Sequence, residues 1–275
     1  MQSLATRLRW AFEPFHAVCY FSPDVPQRFT ERGLHPWAAY FGQRAAPMGY
    51  AAAETVAAVF YVFDPRLVAR SIPSTWNQVS PDRAWEWRLQ GVDRALRRLL
   101  GAEWCRSRAV EDAAELARRA AEAVATGGRP LGAPTARMPV GDAPHLWLWS
   151  SVTALREQRG DGHVSGLVTH GVGPIESMVT AGEFSNLSER FHRRHRGWPE
   201  EDWANAIDRC RSAGWIDADG VRTDAGTELR RSVERSTDVS MRAVGDAIGD
   251  DGIETLIDVV GEASRRLSDA EIFPF

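Results

Sequence analysis

The sequence contains no lysine: all 33 of its basic residues are arginine. Chemistry that needs a lysine amine is therefore excluded, whether as a Schiff base or as the phosphate-binding lysine of a P-loop. The sequence also lacks the glycine-rich dinucleotide fingerprint, the zinc-protease motif and the nucleophile elbow of hydrolases. The cofactor, if there is one, stays unknown. Candidate site residues are arginine, histidine and carboxylate side chains.

Cysteines and long apolar runs are also scarce. Cys19, Cys105 and Cys210 lie far apart and form no Cys-x-x-Cys pair, which argues against a disulfide framework or a zinc knuckle. No run approaches the roughly 20 apolar residues of a membrane span, and the first residues lack the apolar region of a signal peptide. With a net charge of −4, no global basic field favours nucleic acid or anionic lipid. These features predict a cytoplasmic protein without a membrane partner.

Helical spacing of apolar residues recurs along most of the chain and predicts a mainly α protein. The segment 126–144 is rich in glycine and proline and is predicted to be a linker between residues 1–125 and 145–275. Gly160 and Gly162 are expected to end the helix that begins at Pro144. Pro73 is expected to end a short helix that begins near residue 64.

A weak internal repeat relates the two parts. Gly33-Leu34-His35-Pro36 and Gly171-Val172-Gly173-Pro174 both close one helix and open the next, and positions 33 and 171 are 138 apart. At the same offset Phe29 matches Leu167 and Phe41 matches Val179. The shared register favours a degenerate tandem duplication.

Residues 173–231 have the order of elements expected of a winged helix. Ser188 can cap a short helix, Glu200 to Gly214 occupies the position of a recognition helix, and Asp219-Gly220 is a tight hairpin signal. A small β-wing is therefore predicted in this second repeat, whereas the first repeat has no such hairpin.

This stretch resembles the MarR regulators, in which a Gly-Leu-x-Ile segment, an Asp-Gly-Arg turn and a Leu-Thr-x-x-Gly segment frame the wing. More of the chain is similar to a SalK-like helix-turn-helix family of actinobacteria. The exclusive use of arginine as the basic residue is typical of a GC-rich genome, which also favours an actinobacterial source. The residues that carry this resemblance are Glu13-Pro14-Phe15-His16-Ala17, Phe63-Asp64-Pro65, Leu155 to His163 and Arg196-Gly197-Trp198. The resemblance implies two tandem MarR-like folds with additional helices and a role in specialised metabolism, but no reaction and no catalytic residues.

The segment Arg156 to His163 has the highest density of ionisable groups. Its counterpart in the first repeat, residues 18–25, is mostly apolar, so the fold does not require charges there. Arg156 and Arg159 are predicted to bind an anionic ligand together with Glu157 and Asp161, and His163 to act as an acid or base. The alternative is a solvated helix end whose charges pair with one another.

A second set of candidates lies near the start of the chain. Glu13, His16 and Tyr20 share one helical face, so His16 and Glu13 are candidate catalytic residues and Tyr20 a ligand contact. Trp37 and Tyr40 are expected to line the same pocket between the repeats. The alternatives are a buried, hydrogen-bonded histidine and plain aromatic packing. The Glu-x-x-His spacing also occurs in di-iron bundles, but matching carboxylates are not evident and no metal is predicted.

The sequence therefore favours a small-molecule-binding protein, and leaves open whether it is an enzyme of specialised metabolism. The alternative is a ligand-responsive, MarR-like regulator that binds DNA through Arg190, Arg193, Arg194 and Arg196. Nucleic acid is disfavoured because the candidate recognition helix begins with Glu200-Glu201-Asp202, which would repel phosphates. The oligomeric state stays open; the DNA-binding alternative requires a dimer.

Overall fold

A computed structural model describes residues 4–181 and 186–273, with side chains described for residues 7–181 and 190–273. Within these ranges the protein folds into fifteen α-helices and one short 3-10 helix, Ala46–Met48. The prediction of a mainly α protein is confirmed.

Nine helices precede the long central helix. They are α1 (Leu4–Phe21), α2 (Gln27–Glu31), α3 (Pro36–Ala45), α4 (Ala53–Val59), α5 (Pro65–Gln78), α6 (Pro81–Leu100), α7 (Ala102–Cys105), α8 (Arg108–Ala123) and α9 (Gly132–Thr135). Several begin with a side-chain cap followed by proline, as at Asp64-Pro65 and Ser80-Pro81. Proline suits the first turn because it has no N–H to leave unpaired there.

The central helix and five others complete the chain. They are α10 (Pro144–Thr169), α11 (Pro174–Val179), α12 (Asn186–Arg196), α13 (Glu200–Ser212), α14 (Asp224–Ser240) and α15 (Arg242–Asp269). Helix α15 is kinked at Gly249, whose φ of 66° lies in the left-handed region that glycine tolerates.

The largest core draws on helices from both ends of the chain. Helix α1 packs against α10 and α15, and α10 also packs against α8, α9 and α14. Phe15, Trp149 and Leu256 are fully buried in this core. Helices on either side of residues 126–144, such as α8 and α10, pack in one core. Residues 126–144 therefore connect helices that contact each other. They include α9 and bury Leu131 and Val140. The division into two domains stays a prediction.

The expectation that Gly160 and Gly162 end a helix is wrong, since α10 continues without interruption to Thr169. A Cβ atom on Gly162 would overlap the side chain of Ser240, and one on Gly166 would crowd Val233 and Ser236 of α14. These glycines let α10 and α14 approach closely. Tertiary packing thus overrides the low helix propensity of glycine.

Pro73 does not end its helix either, because α5 runs through it to Gln78. Proline at this position removes the hydrogen bond to the carbonyl group of Ala69. Ala69 is exposed, so water can satisfy that carbonyl, while Ile72 and Thr75 on either side of Pro73 are buried and anchor the helix.

The predicted wing is a short hairpin with one antiparallel bridge pair, Ile216 and Arg222. The N–H of Asp217 donates to the carbonyl of Val221 at 2.9 Å, and Gly220 turns the chain with a φ of 82°. Within the described ranges the hairpin does not extend into a sheet. The side chain of Ser188, predicted to cap a helix, lies outside the described residues.

Candidate functional site

A cavity of about 410 Å³ lies where α1, α3 and the α4–α5 turn meet α10, α11, α12 and α14. Both ionisable and apolar side chains line it. The ionisable ones are Arg9, Glu13, Tyr40, Arg44, Tyr61, Arg156, Glu157, Arg159, Asp161, His163, His192, Arg196 and Arg230. The apolar ones include Leu8, Phe12, Phe60, Phe63, Leu131, Leu155, Leu167, Met178 and Met241.

The segment singled out in α10 supplies one wall of this cavity. Arg156, Glu157, Arg159, Asp161 and His163 all line it. Their convergence depends on the uninterrupted course of α10, since residues three, four and seven apart share one helical face. Glu13 of α1 and Tyr40 of α3, also predicted as site residues, line the facing wall.

Glu157 is the centre of a buried ion-pair network. Its side chain is 2% exposed, and both of its oxygens accept hydrogen bonds from Arg44, each at 3.0 Å. Nη1 of Arg156 donates to Oε2 at 3.0 Å. Burial alone would raise the pKa of Glu157, but Arg44 and Arg156 hold it far below its usual range. Glu157 is therefore ionised and fixes the two arginines in place.

Arg156 also contacts Glu13, at 3.2 Å between Nη2 and Oε1. Burial opposes ionisation of this carboxyl group, but the positive charge of Arg156 lowers the pKa of Glu13 to about 2. Glu13 is thus a fixed carboxylate at neutral pH. It cannot act there as a proton donor.

The wall that joins α10 to α14 has an excess of positive charge. Nη2 of Arg159 donates to Glu234 at 2.7 Å, and Arg230 lies 3.9 Å from the same carboxylate. Burial lowers the pKa values of Arg159 and Arg230 against the opposing charge of Glu234. Arg9 and Arg156 lower the pKa of Arg159 further, and Arg222, Arg9 and Arg159 lower that of Arg230. One contacting carboxylate does not compensate these cations.

His163 lies beside these arginines and is neutral. Burial first, and then the charges of Arg159, Arg230 and Arg9, lower its pKa to about 3. Its Nδ1 is 3.0 Å from the hydroxyl of Thr237. That hydroxyl donates its own proton to the carbonyl of Val233, so Nδ1 of His163 is the donor in this contact. The other ring nitrogen, Nε2, therefore carries a lone pair and accepts.

Asp161 connects the cavity wall to α9. Its Oδ2 accepts from the backbone N–H groups of Leu131, at 3.2 Å, and Gly132, at 2.8 Å. Burial raises the pKa of Asp161 to about 6, although these two hydrogen bonds oppose that shift. The cavity wall therefore gains a negative charge as the pH rises through about 6.

Three predicted site residues lie behind the cavity wall. His16 is fully buried and hydrogen-bonds through Nδ1 to Thr153 and through Nε2 to Tyr20, each at 3.1 Å. Burial lowers its pKa to about 3, so it is neutral. Tyr20 and Trp37 pack against Tyr40 with ring centroids 5.0 and 5.9 Å away. Only Tyr40 of these aromatic residues reaches the cavity.

The basic residues of α12 divide between two surfaces. Arg196 faces the cavity, and its guanidinium carbon lies 4.7 Å from the centre of the Phe63 ring. Arg190, Arg193 and Arg194 line a shallow surface depression with Trp198 instead. Helix α12 therefore connects the cavity to a basic external surface.

Sequence reasoning missed several cavity residues, namely Arg9, Arg44, His192 and Arg230, and assigned Arg196 only to DNA. Arg44 lies one helical turn beyond the predicted Tyr40, and Arg9 one turn before Glu13, so helical spacing could have found both. Arg230 is 71 residues from Arg159 in sequence, and no local pattern connects them.

Among the described residues, no group of three or more histidine, cysteine, aspartate or glutamate side chains is arranged to hold a metal ion. In the same part of the chain, no helix is both long enough and apolar enough to cross a membrane.

A family model described as a helix-turn-helix family matches residues 5–274. The chain belongs to this helix-turn-helix family. Such membership suggests a DNA-binding, regulator-like protein, for which nucleic acid is a possible partner. Comparisons with curated proteins and with solved structures found no match.

Proposed function

We propose that this protein binds a small organic anion in the central cavity. The observation that carries the proposal is the charge of the lining: six arginines face three carboxylates, Glu13, Glu157 and Asp161. Guanidinium groups are the preferred partners of carboxylate and phosphate, with which they form paired hydrogen bonds. A cationic lining of this kind is matched by a ligand of negative charge.

The other walls support a ligand with an apolar body. Phe60, Phe63, Leu155 and Met178 contribute apolar surface to the cavity. A volume of about 410 Å³ is within the range of small-molecule sites. Binding rather than catalysis is the better-supported role. His16 lies behind the cavity wall and does not line the cavity, and His163 and Glu13 have pKa values far below neutrality.

A cavity-filling substitution with a matched control tests this proposal. Val164 of α10 lines the cavity, whereas Val168, one helical turn further, is 60% exposed. We expect benzoate and phenyl phosphate to bind in calorimetric titrations and benzyl alcohol, their neutral analogue, to bind much more weakly. Val164→Phe should weaken anion binding by about tenfold or more, since it occupies the ligand's space, and Val168→Phe should not.

Two results would overturn the proposal that the cavity binds a small organic anion. It falls if neither anion binds the wild-type protein and if protein purified from its own host releases no small anion on denaturation in mass spectrometry. It also falls if Val164→Phe, verified as folded by circular dichroism, binds both anions as the wild type does.

The finer description of the fold is part of this proposal. We infer that residues 1–125 and 145–275 are two degenerate MarR-like winged-helix repeats of a SalK-like actinobacterial family, acting in the cytoplasm in specialised metabolism. Two pairs of helix starts support the duplication: α3 and α11 begin at Pro36 and Pro174, and α5 and α13 at Pro65 and Glu200. The cavity between the halves would then be a product of the duplication.

DNA binding is the second candidate function, favoured by the family and by the basic surface at Arg190, Arg193 and Arg194. Two observations oppose the usual winged-helix mode. Helix α13 begins with three exposed or half-exposed carboxylates. In the proposed duplication, α5 and α13 are the equivalent recognition helices of the two repeats. Their first turns are joined by an ion pair of 2.6 Å between Arg66 and Asp202, whereas paired recognition helices bind DNA grooves about 34 Å apart.

A mobility-shift titration with DNA from upstream of its own gene tests this second candidate. At about 50 mM salt, DNA binding through α12 should be weakened by the double variant Arg190→Gln, Arg194→Gln. The double variant Arg108→Gln, Arg119→Gln on α8 removes the same charge at exposed positions and is the control. If no shift occurs, or if both double variants bind equally, α12 is not a DNA-binding surface.

A further inference from the structure

Five of the six arginines of the cavity form two groups that differ in how far their charges are compensated; the sixth, Arg196, stacks on Phe63. Arg44 and Arg156 are joined to Glu157 and Glu13 by hydrogen bonds of 3.0 to 3.3 Å. Arg159 and Arg230 share Glu234, and Arg9 has no ion pair among the described residues. The first group is a fixed structural wall, because each of its guanidinium groups is already paired with the buried carboxylate of Glu157.

The second group has donors that remain unused. Nε of Arg159 and Nη1 of Arg230 are buried and have no hydrogen-bond partner among the described residues. A buried N–H of a cation without a partner costs more free energy than almost any other unpaired polar group. Both nitrogens are inaccessible to solvent, so an acceptor in the cavity reaches them only if the guanidinium groups turn toward it. Without such a turn, the acceptor compensates the two cations by its charge.

The surrounding charges indicate how many negative charges that acceptor carries. Arg9, Arg159 and Arg230 supply three positive charges, and Glu234 returns one at contact distance. His163 contributes none, because it is neutral, while Asp238 of α14 offsets part of the charge of Arg159 at longer range. The remaining charge is closest to that of a doubly negative head group.

We propose that Arg9, Arg159 and Arg230 form the head-group subsite of this cavity and bind a dianionic oxyanion, either a phosphate monoester or a pair of adjacent carboxylates. This assignment rests on the proposed binding of an organic anion. It adds the charge of the head group and its position on the wall between α10 and α14. The apolar body of the ligand extends from there toward Phe60 and Phe63. His163 also lines the cavity, and the lone pair on its Nε2 suits a hydroxyl group of the ligand that donates a hydrogen bond.

The test compares three probes that share a benzene ring: phenyl phosphate and phthalate, which are dianions near neutral pH, and the monoanion benzoate. Calorimetric titration of the wild type should give a lower Kd for at least one dianion than for benzoate, by about tenfold or more. The tighter of the two dianions distinguishes phosphate from dicarboxylate.

Two arginines of α1 provide a matched pair of variants. Arg9→Gln removes a cavity charge, while Arg7→Gln removes a charge two residues earlier that pairs with Glu254 at the surface. Arg9→Gln should raise the Kd of the preferred dianion severalfold more than that of benzoate. Arg7→Gln should leave both unchanged, because Arg7 is outside the cavity.

Glu234→Gln is the most diagnostic variant, because it should tighten binding. It removes the carboxylate that Arg159 and Arg230 both contact and keeps an amide oxygen that can accept from Arg159. We expect the Kd of the dianion to fall by about tenfold, an outcome that a purely structural role of Glu234 would not produce.

The possible failures are distinguishable. If the wild type binds none of the three probes, the proposed function loses its support together with the subsite. If all three bind with equal affinity, or if Glu234→Gln and Arg9→Gln change none of the affinities, the cavity binds anions but the dianion subsite is refuted.

Discussion

Replacement of Glu157 by glutamine is expected to destabilise the protein by about 3–5 kcal/mol, since removal of one member of a buried ion pair leaves the other charge uncompensated. Here two cations are affected, because Arg44 and Arg156 both donate to the same buried carboxylate. Glutamine keeps the size of the side chain but supplies one oxygen in place of two. At roughly 2–4 °C per kcal/mol, the melting temperature should fall by about 10 °C.

The pH dependence of this effect follows from the direction of the pKa shift. The pKa of Glu157 is far below its usual value, so its contribution to stability is fully present above about pH 4.3 and declines as the pH falls below that value. The difference in melting temperature between wild type and Glu157→Gln should therefore be constant near neutral pH and shrink in acid.

Glu254→Gln is the matched control. Glu254 accepts two hydrogen bonds of 2.7 Å from Arg7, but the two side chains are 53% and 39% exposed, and pairs at the surface contribute less than about 1 kcal/mol. If Glu157→Gln melts within a degree or two of Glu254→Gln, the network around Glu157 does not hold the cavity wall together.

The part of the site that lies on one helix could be predicted from sequence. Arg156 to His163 is densely charged, whereas residues 18–25, which the predicted repeat aligns with it, are mostly apolar, and this contrast marks the segment. All five predicted residues of that segment line the cavity. This prediction of site residues did not depend on the predicted secondary structure, in which the helix ended wrongly at Gly160 and Gly162.

The rest of the site depends on long-range packing that no local pattern encodes. Arg230 reaches the cavity because Gly162 and Gly166 let α14 approach α10, so the residues that appeared to break the helix are those that assemble the site. His16 fails to reach the cavity for the opposite reason. Its face of α1 is covered by Thr153 of α10 and by Tyr20, which hold it in the core.

Substitution of Gly132 by alanine is expected to have the second large effect on stability, about 3 kcal/mol or more, because it overpacks a contact between two backbones. A Cβ atom on Gly132 would overlap both the main chain and the side chain of Gln158 on α10. The neighbouring helix cannot move away without disturbing Glu157. The same substitution would displace the N–H group of Gly132 from Asp161.

Gly127→Ala is the control for this substitution, since it lies five residues earlier in the same glycine-rich segment and an added Cβ there meets nothing within 4 Å. Thermal unfolding should show a change of less than about 0.5 kcal/mol for Gly127→Ala. Equal stability of the two variants would mean that residues 126–144 behave as the free linker that their composition predicts. A large loss confined to Gly132→Ala would mean that this segment is docked on α10. Leu131 would then be a fixed part of the cavity lining, and the site would depend on a segment whose composition alone indicates no structure.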